Sequence, residues 1–338
     1  MSKKVVFEVI AGVLLLGLLV AGIAGFQAYR QPLAEPLSLV MAATDVPSTA
    51  EAKQPTPPPT VVPSSTKTCA TSGSQIVLVI GRDEQYWEPP YGADAIRVVK
   101  VDYSNKKVEV FAFPRDLLVK TPSLEAKYNI KEYRLGPLYT FIREKEGNVT
   151  PEDDAIASDA IAQTLYDNFG IAVDQYLTIE ESVLPQMIDI VGGVDVVVKE
   201  AITSDLVTIK PGKQTMNGNT AMLYSRYLKD GLASVDEWNR IERQATVFKG
   251  LAEKLFQPKS LLKATDLYDK VKQSVVTDLS IQQIATLACM GNEIKSKDIS
   301  AATINKPQVN ILADETMVIK DDELGKIKTT LDKMFGVR

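Results

Sequence analysis

Short apolar runs in this chain end in charged residues of a particular kind. Residues 75–81 lead into Arg82 and Asp83, the next β-branched run opens at Asp94, and a third closes in Phe113-Pro-Arg115-Asp116. In open α/β sheets ligands collect at strand ends. Asp83, Asp94, Arg115 and Asp116 therefore form a set able to hold a divalent cation and an anion that it bridges, although each alone is also an ordinary turn residue. A second cluster, Glu237-Trp-Asn-Arg240-Ile-Glu-Arg243-Gln244, falls in the first turns of a predicted helix. Helical spacing places Glu237, Arg240 and Gln244 on one face, with Arg243 flanking it. Arginines near a helix start oppose the macrodipole and want an anion beside them, either Glu237 or a bound phosphate.

Composition narrows the chemistry. The 338 residues include no histidine, which excludes Ser-His-Asp and Cys-His catalysis and any His-ligated metal. With only Cys69 and Cys289, zinc ribbons and iron–sulfur clusters are excluded as well. The 38 basic and 43 acidic residues give a net charge of −5, no attractive field for nucleic acid, so any anion site must be local. Carboxylates, guanidinium groups, amines and hydroxyls remain, with a hard, oxygen-liganded cation if a metal takes part.

The elements that must position these groups occupy the last three quarters of the chain. Before them, residues 5–26 carry one charge, Glu8. As a helix they reach about 33 Å, enough to span a bilayer. Lys3 and Lys4 precede this segment and Arg30 follows it, which leaves residues 1–4 as a cytoplasmic stub and puts the rest outside the cell membrane as a single-pass protein. A cleaved signal peptide ending near Ala21 to Ala24 is the alternative. Gly17, Ala21 and Gly25 form a small-residue stripe that would permit a homodimer through this helix. Residues 27–74 are rich in Pro, Thr and Ser and read as an extended spacer. Cys69, at its end, either pairs with Cys289 or leaves Cys289 a buried free thiol.

Residues 75–338 read as one α/β domain, with the motifs in 75–257 and a continuation in 258–338. Strands are predicted at 75–81, 95–103 and 107–113, the last two joined by a hairpin at 104–106. A helix at 154–169 carries Ile156, Ala160, Ile161, Leu165 and Phe169 on one face and stops at Gly170. A strand at 171–179, a helix at 182–191 and a strand reaching 198 after Gly192 and Gly193 follow. Further helices are predicted at 217–229, 236–256, 280–290 and 321–335, with a strand at 309–312.

The ordered motifs resemble the LytR-CpsA-Psr family. The likeness rests on Leu78-Val-Ile-Gly-Arg-Asp83, Ala93-Asp94, Phe113-Pro-Arg-Asp116, Lys127-Tyr-Asn129, Ile190-Val-Gly-Gly-Val-Asp195, Leu223-Tyr-Ser-Arg226 and Arg240-Ile-Glu-Arg243-Gln244. It implies a single extracytoplasmic α-β-α domain with a central mixed sheet behind one transmembrane helix. It also implies an enzyme of envelope assembly, a phosphotransferase that moves an anionic glycopolymer from a polyprenyl-pyrophosphate carrier to a peptidoglycan hydroxyl. On this resemblance Asp83 and Asp94 would hold Mg²⁺ or Mn²⁺. Arg82, Arg115, Arg226, Arg240, Arg243 and Gln244 would grip the pyrophosphate, and Asp94, Arg115 and Asp116 would serve catalysis, either aspartate accepting the hydroxyl proton. An apolar channel for the prenyl chain is expected beside the helix 154–169. Where the family usually carries arginine, this chain has Gln85, Gly92 and Leu228, with Arg82, Lys127 and Lys131 as candidate substitutes. An envelope-binding or scaffolding module of the same fold, or a prenyl-pyrophosphate pyrophosphatase, are the alternatives.

Overall fold

The computed structural model describes residues 72–83, 92–147, 150–255, 266, 270–294 and 298–336. The predicted membrane helix at 5–26, nearly all of the spacer, Cys69 and Gln85 lie outside them. Among the described residues no helix is long and apolar enough to cross a membrane.

In chain order the elements are β1 (Ser74–Arg82), β2 (Ala93–Asp102), β3 (Lys107–Phe113), β4 (Leu118–Lys120), α1 (Pro122–Tyr128), β5 (Glu132–Arg134), α2 (Leu135–Glu146), α3 (Pro151–Phe169), β6 (Gln175–Glu180), α4 (Val183–Ile190) and β7 (Val194–Val198). They continue with β8 (Ile202–Thr203), β9 (Thr208–Ile209), β10 (Gly212–Met216), α5 (Gly218–Arg226), α6 (Ala233–Leu255), β11 (Val275–Thr277), α7 (Ile281–Glu293), β12 (Ile299–Thr303), β13 (Val309–Ile311), β14 (Met317–Ile319) and α8 (Asp321–Phe335).

β1, β2 and β3 are near-continuous branched apolar runs, the pattern of strands covered on both faces. They form an antiparallel meander, whose β2–β3 turn is fixed by the Asp102 carboxylate accepting the Asn105 amide (2.9 Å). The six-stranded sheet has the order β11-β6-β1-β2-β3-β12. β6 runs parallel to β1 and β12 parallel to β3, so the sheet is mixed. Both edge strands come from the C-terminal part of the chain.

Alternation sends Val79, Val99 and Val101 to one face, where they pack on Met187 of α4, Ala221 of α5, Val247 and Leu251 of α6 and Leu287 of α7. Leu78, Ile80, Val98 and Phe111 face the other way, onto Tyr139 of α2, Ile161 and Leu165 of α3 and Leu331 of α8. The result is an α-β-α stack, as the resemblance implied.

Local chemistry sets the element ends. Thr150 and Asp153 form a capping box that starts α3 earlier than its apolar stripe suggests, and Gly170 ends it in the left-handed conformation. The strand predicted from 171 begins at Gln175 because Asp174 is engaged by Ile76 through both its backbone and its carboxylate. α5 stops at Arg226 rather than 229, since Tyr227 turns to extended backbone (φ −54°, ψ 132°). Helix α2, which opens Leu-Gly-Pro, and strands β11 and β12, three and five residues long, had no predicted counterpart.

Candidate active site

One edge of the sheet gathers the charged residues. β2 is antiparallel to β1 and β6 is parallel to it, so the end of β1, the start of β2, the end of β3 and the end of β6 share that edge. At the β1–β2 margin Gly81 pairs with Ala95 and Arg82 with Ala93, which leaves Asp94 as the extra residue of a β-bulge. A bulge re-aims the side chain it carries, and Asp94 is turned into a ring of arginines.

Its carboxylate is buried, 5% exposed, and meets three of them. Arg115 Nη1 donates to Oδ1, Arg240 Nη1 lies 3.5 Å from Oδ2, and Arg226 Nη2 lies 4.0 Å from the same oxygen. Burial alone would raise the Asp94 pKa, but Arg115, Arg240 and Arg226 together outweigh it and hold the carboxyl below its ordinary value. Arg226 also donates to Asp83 Oδ2 and stands 4.0 Å from Glu181 Oε2. Asp83 and Asp94 are thereby joined through one guanidinium.

Arg240 shows how the second cluster works. It is 2% exposed, and Glu237 accepts from its Nε (2.8 Å) and Nη2 (3.0 Å), leaving Nη1 for Asp94. Burial opposes its charge, yet Glu237 and Asp94 reverse that and raise its pKa above the ordinary arginine value. Of the two partners the sequence offered, Glu237 is the one in contact, and Nη1 is left directed at Asp94. Gln244, one turn further along α6, accepts from Arg97 Nη2 at 2.8 Å.

Asp116 is 5% exposed and lies between Arg115 Nε (3.6 Å) and Arg134 Nη1 (3.4 Å). Burial raises its pKa in spite of these arginines, the opposite of Asp94.

Four candidates go elsewhere. Arg82 follows Gly81 and precedes Asp83 on a strand, so it faces the opposite side of the sheet, where it meets Asp154 (3.4 Å) and Glu180 (3.4 Å). Asp154 there also binds Arg143 (2.9 Å) and the Tyr139 hydroxyl (2.7 Å), a buried network that anchors α2 and α3 rather than an anion grip. Arg243 bonds Asp236 (2.6 Å) and the Tyr227 carbonyl, tying the start of α6 to the end of α5. Lys127 and Lys131 pair with Glu146 and Glu125, not with the edge carboxylates.

Gly92 accounts for one of the departures from the family pattern. A Cβ there would lie 2.5 Å from the Gly136 carbonyl oxygen, so the backbone of this chain admits no side chain at that position.

Beside this edge lies an apolar cavity, partly open to solvent. Its walls are Val79 and Ala95 of the sheet, Leu184 and Met187 of α4 and Val247 and Phe248 of α6, with Arg97, Glu181 and Gln244 as its charged and amide groups. The apolar space was expected beside the helix 154–169 and is on the other side of the sheet. On the α3 side Ala157, Ala162 and Ile161 are fully buried, and such small residues let the helix seat flush.

Glu181 and Arg97 escaped the sequence reading. Burial, reinforced by Asp94, pushes the Glu181 carboxyl up to about 8 against the relief given by Arg226. Burial brings Arg97 down to about 10, only partly offset by Glu181. The signals existed, in an acidic pair ending a strand and in one cation inside the run Ala95-Ile-Arg-Val-Val99.

Among the described residues no three Asp, Glu or Cys side chains converge as a metal cage. Asp83 and Asp94, sharing Arg226 as their common cation, nevertheless suit Mg²⁺, which is commonly held by one or two carboxylates with water and substrate phosphate completing its shell.

Comparison with known proteins places this architecture. The sequence matches the LytR_cpsA_psr family model over residues 38–333. It is 22% identical to the polyisoprenyl-teichoic acid–peptidoglycan teichoic acid transferase TagV of Bacillus subtilis, covering 71% of this chain and 59% of that protein, under two thirds of its length. With TagU of Oceanobacillus iheyensis the identity is 24%, over 71% of each. The crystal structure of B. subtilis TagV superposes with a TM-score of 0.60 at 22% identity, covering 80% of this chain and 99% of that one. TagT bound to LI-WTA superposes with a TM-score of 0.54 at 20% identity, covering 78% and 91%. The model match alone extends over most of the chain, which belongs to the LytR_cpsA_psr family.

Proposed function

We propose that this protein is a membrane-anchored phosphotransferase that moves an anionic glycopolymer from a polyprenyl-pyrophosphate carrier to a hydroxyl of peptidoglycan. One observation carries the reading: Arg115, Arg226 and Arg240 converge with Asp83 and Asp94 beside an apolar cavity whose wall includes their neighbours Ala95, Glu181, Ser225 and Gln244. A cationic edge over a hydrocarbon slot matches an amphiphile with a diphosphate head and an isoprenoid tail, and it has no use for a soluble phosphorylated metabolite. The names of TagV and TagU support the polymer and acceptor classes.

The acceptor oxygen bonds to the phosphorus beside the sugar, the bridging P–O bond breaks, and prenyl phosphate leaves. Arg115, Arg226 and Arg240 exchange the carboxylates they now hold for phosphate oxygens and offset the charge of the leaving group. A divalent cation on Asp83 and Asp94 would supply further charge compensation across the diphosphate. Asp116 is the better proton acceptor of the two aspartates, because burial raises its pKa, while Asp94 is held ionised by three guanidinium groups in the ligand-free site and would hold the cation once they turn to phosphate. The segment 5–26 would anchor the domain to the membrane.

The test is release of undecaprenyl phosphate from a lipid-linked glycopolymer, with peptidoglycan as acceptor. Wild type is expected to be active with Mg²⁺ and inactive with EDTA, and Asp94→Asn to be inactive. Equal rates for wild type and Asp94→Asn would end this mechanism. A binding or scaffolding module is the second reading, favoured by Gly92, where the fold leaves no room for a cation. It requires glycan or lipid binding that survives EDTA without turnover.

A further inference from the structure

Arg97 is a charged side chain in an apolar setting. It projects from the middle of β2, is 3% exposed, and lines the cavity beside Val79, Ala95, Leu184 and Met187. Among the described residues its hydrogen-bond partner is a neutral amide, Gln244 Oε1, at 2.8 Å. Its Nε is buried and makes no hydrogen bond. A buried guanidinium ordinarily has a carboxylate or phosphate against it, because leaving the charge and its donors unmatched is costly. The other cations of this region have one in direct contact: Asp94 and Asp116 for Arg115, Asp83 for Arg226, Glu237 for Arg240. Glu181, in the same cavity wall, acts on Arg97 through space without a hydrogen bond, and burial drives that carboxyl towards its neutral form.

Position gives the missing partner a location. Gln244 stands one helical turn from Arg240, whose Nη1 faces Asp94, so Arg97 sits just inside the cavity from the arginine ring. A ligand that threads its hydrocarbon into the cavity and leaves its diphosphate at the edge passes its first phosphate across this point. We propose that Arg97 binds the phosphate that bears the apolar chain, a cation supplied from inside the cavity to a site in which Gly92 and Leu228 supply none. The inference rests on the carrier reading above and adds a residue to it. Gln244 then acts as a positioning residue that holds the guanidinium across the cavity.

The experiment compares two probes on the full chain in detergent by calorimetry. Farnesyl pyrophosphate carries chain and diphosphate, and farnesol carries the chain alone. Arg97→Met, nearly equal in volume and uncharged, is expected to weaken farnesyl pyrophosphate by about tenfold to a hundredfold, the value of one charge-assisted hydrogen bond. Farnesol affinity is expected to be unchanged or tighter, and Arg97→Lys to keep most of the pyrophosphate affinity. Equal weakening of both probes in Arg97→Met, or none for the pyrophosphate, would overturn the role of Arg97. Failure of wild type to bind farnesyl pyrophosphate would instead remove the carrier reading on which it stands.

Discussion

At the scale of single residues, three buried carboxyls differ in what surrounds them. Asp94 is held ionised by three arginines, Asp116 is raised by burial, and Glu181 rises to about 8. Glu181 therefore keeps in the folded protein a proton that the unfolded chain, with an ordinary value of 4.5, gives up. Between those limits the native state binds the extra proton, so stability falls as pH rises from about 5 to 8, by up to about 1.4 kcal/mol per unit, and is level above. Glu181→Gln is expected to flatten that slope in denaturant titrations of the metal-free protein. Asp94 works with the opposite sign and only in acid, its stabilisation present above 3.8 and lost as pH falls through its depressed folded value. Asp116→Asn is expected to lower turnover by about a hundredfold or more while leaving carrier affinity in place. Loss of affinity in step with rate would make Asp116 a structural prop. That Asp83, Asp94 and Arg115 lie at strand ends, and that Arg240 and Gln244 share a helix face, was legible because these are local patterns, whereas Arg226 was named only through the family resemblance. Arg82 was not correctly placed, since the face a strand residue takes is decided by the sheet around it.

At the scale of elements, the cavity depends on how closely the helices over it approach one another. Gly218, the first residue of α5, lies so near Pro185 of α4 that a Cβ would come within 2.1 Å of its carbonyl oxygen. Backbone cannot give way as a flexible side chain can. Gly218→Ala is expected to cost about 1 to 3 kcal/mol in thermal or denaturant unfolding, and to displace Arg226 at the far end of the same helix. Tighter stability or unchanged carrier binding in that variant would contradict the coupling. Thr150→Ala, which removes half of the α3 capping box, is expected to cost about 1 kcal/mol with no effect on binding, because α3 covers the other face of the sheet. Helices with long apolar stripes were readable from periodicity. β11 and β12 were not, because so few residues give alternation no length in which to show and their pairing partners are distant in sequence.

At the scale of the molecule, Cys289 is in a disulfide, and the chain has one other cysteine, Cys69. Non-reducing peptide mapping is expected to recover the two in one fragment, and reduction to cost about 2 to 5 kcal/mol. Free thiols at full occupancy in the folded protein would refute this. The acidic balance of the whole chain would be no obstacle to an anionic substrate, since Arg115, Arg226 and Arg240 all converge on the Asp94 carboxylate at a single sheet edge. The same sheet has a temporal consequence. Its two outermost strands, β11 and β12, are the last of the six to be synthesised. A ribosome that has reached residue 274 has delivered a four-stranded sheet with both margins raw, each a template for a stray strand from another chain. Nascent chains truncated there are expected to aggregate or recruit chaperones, and those ending beyond Thr303 to resist protease, so that the protein is born with its stickiest surfaces open and seals them with its final segments.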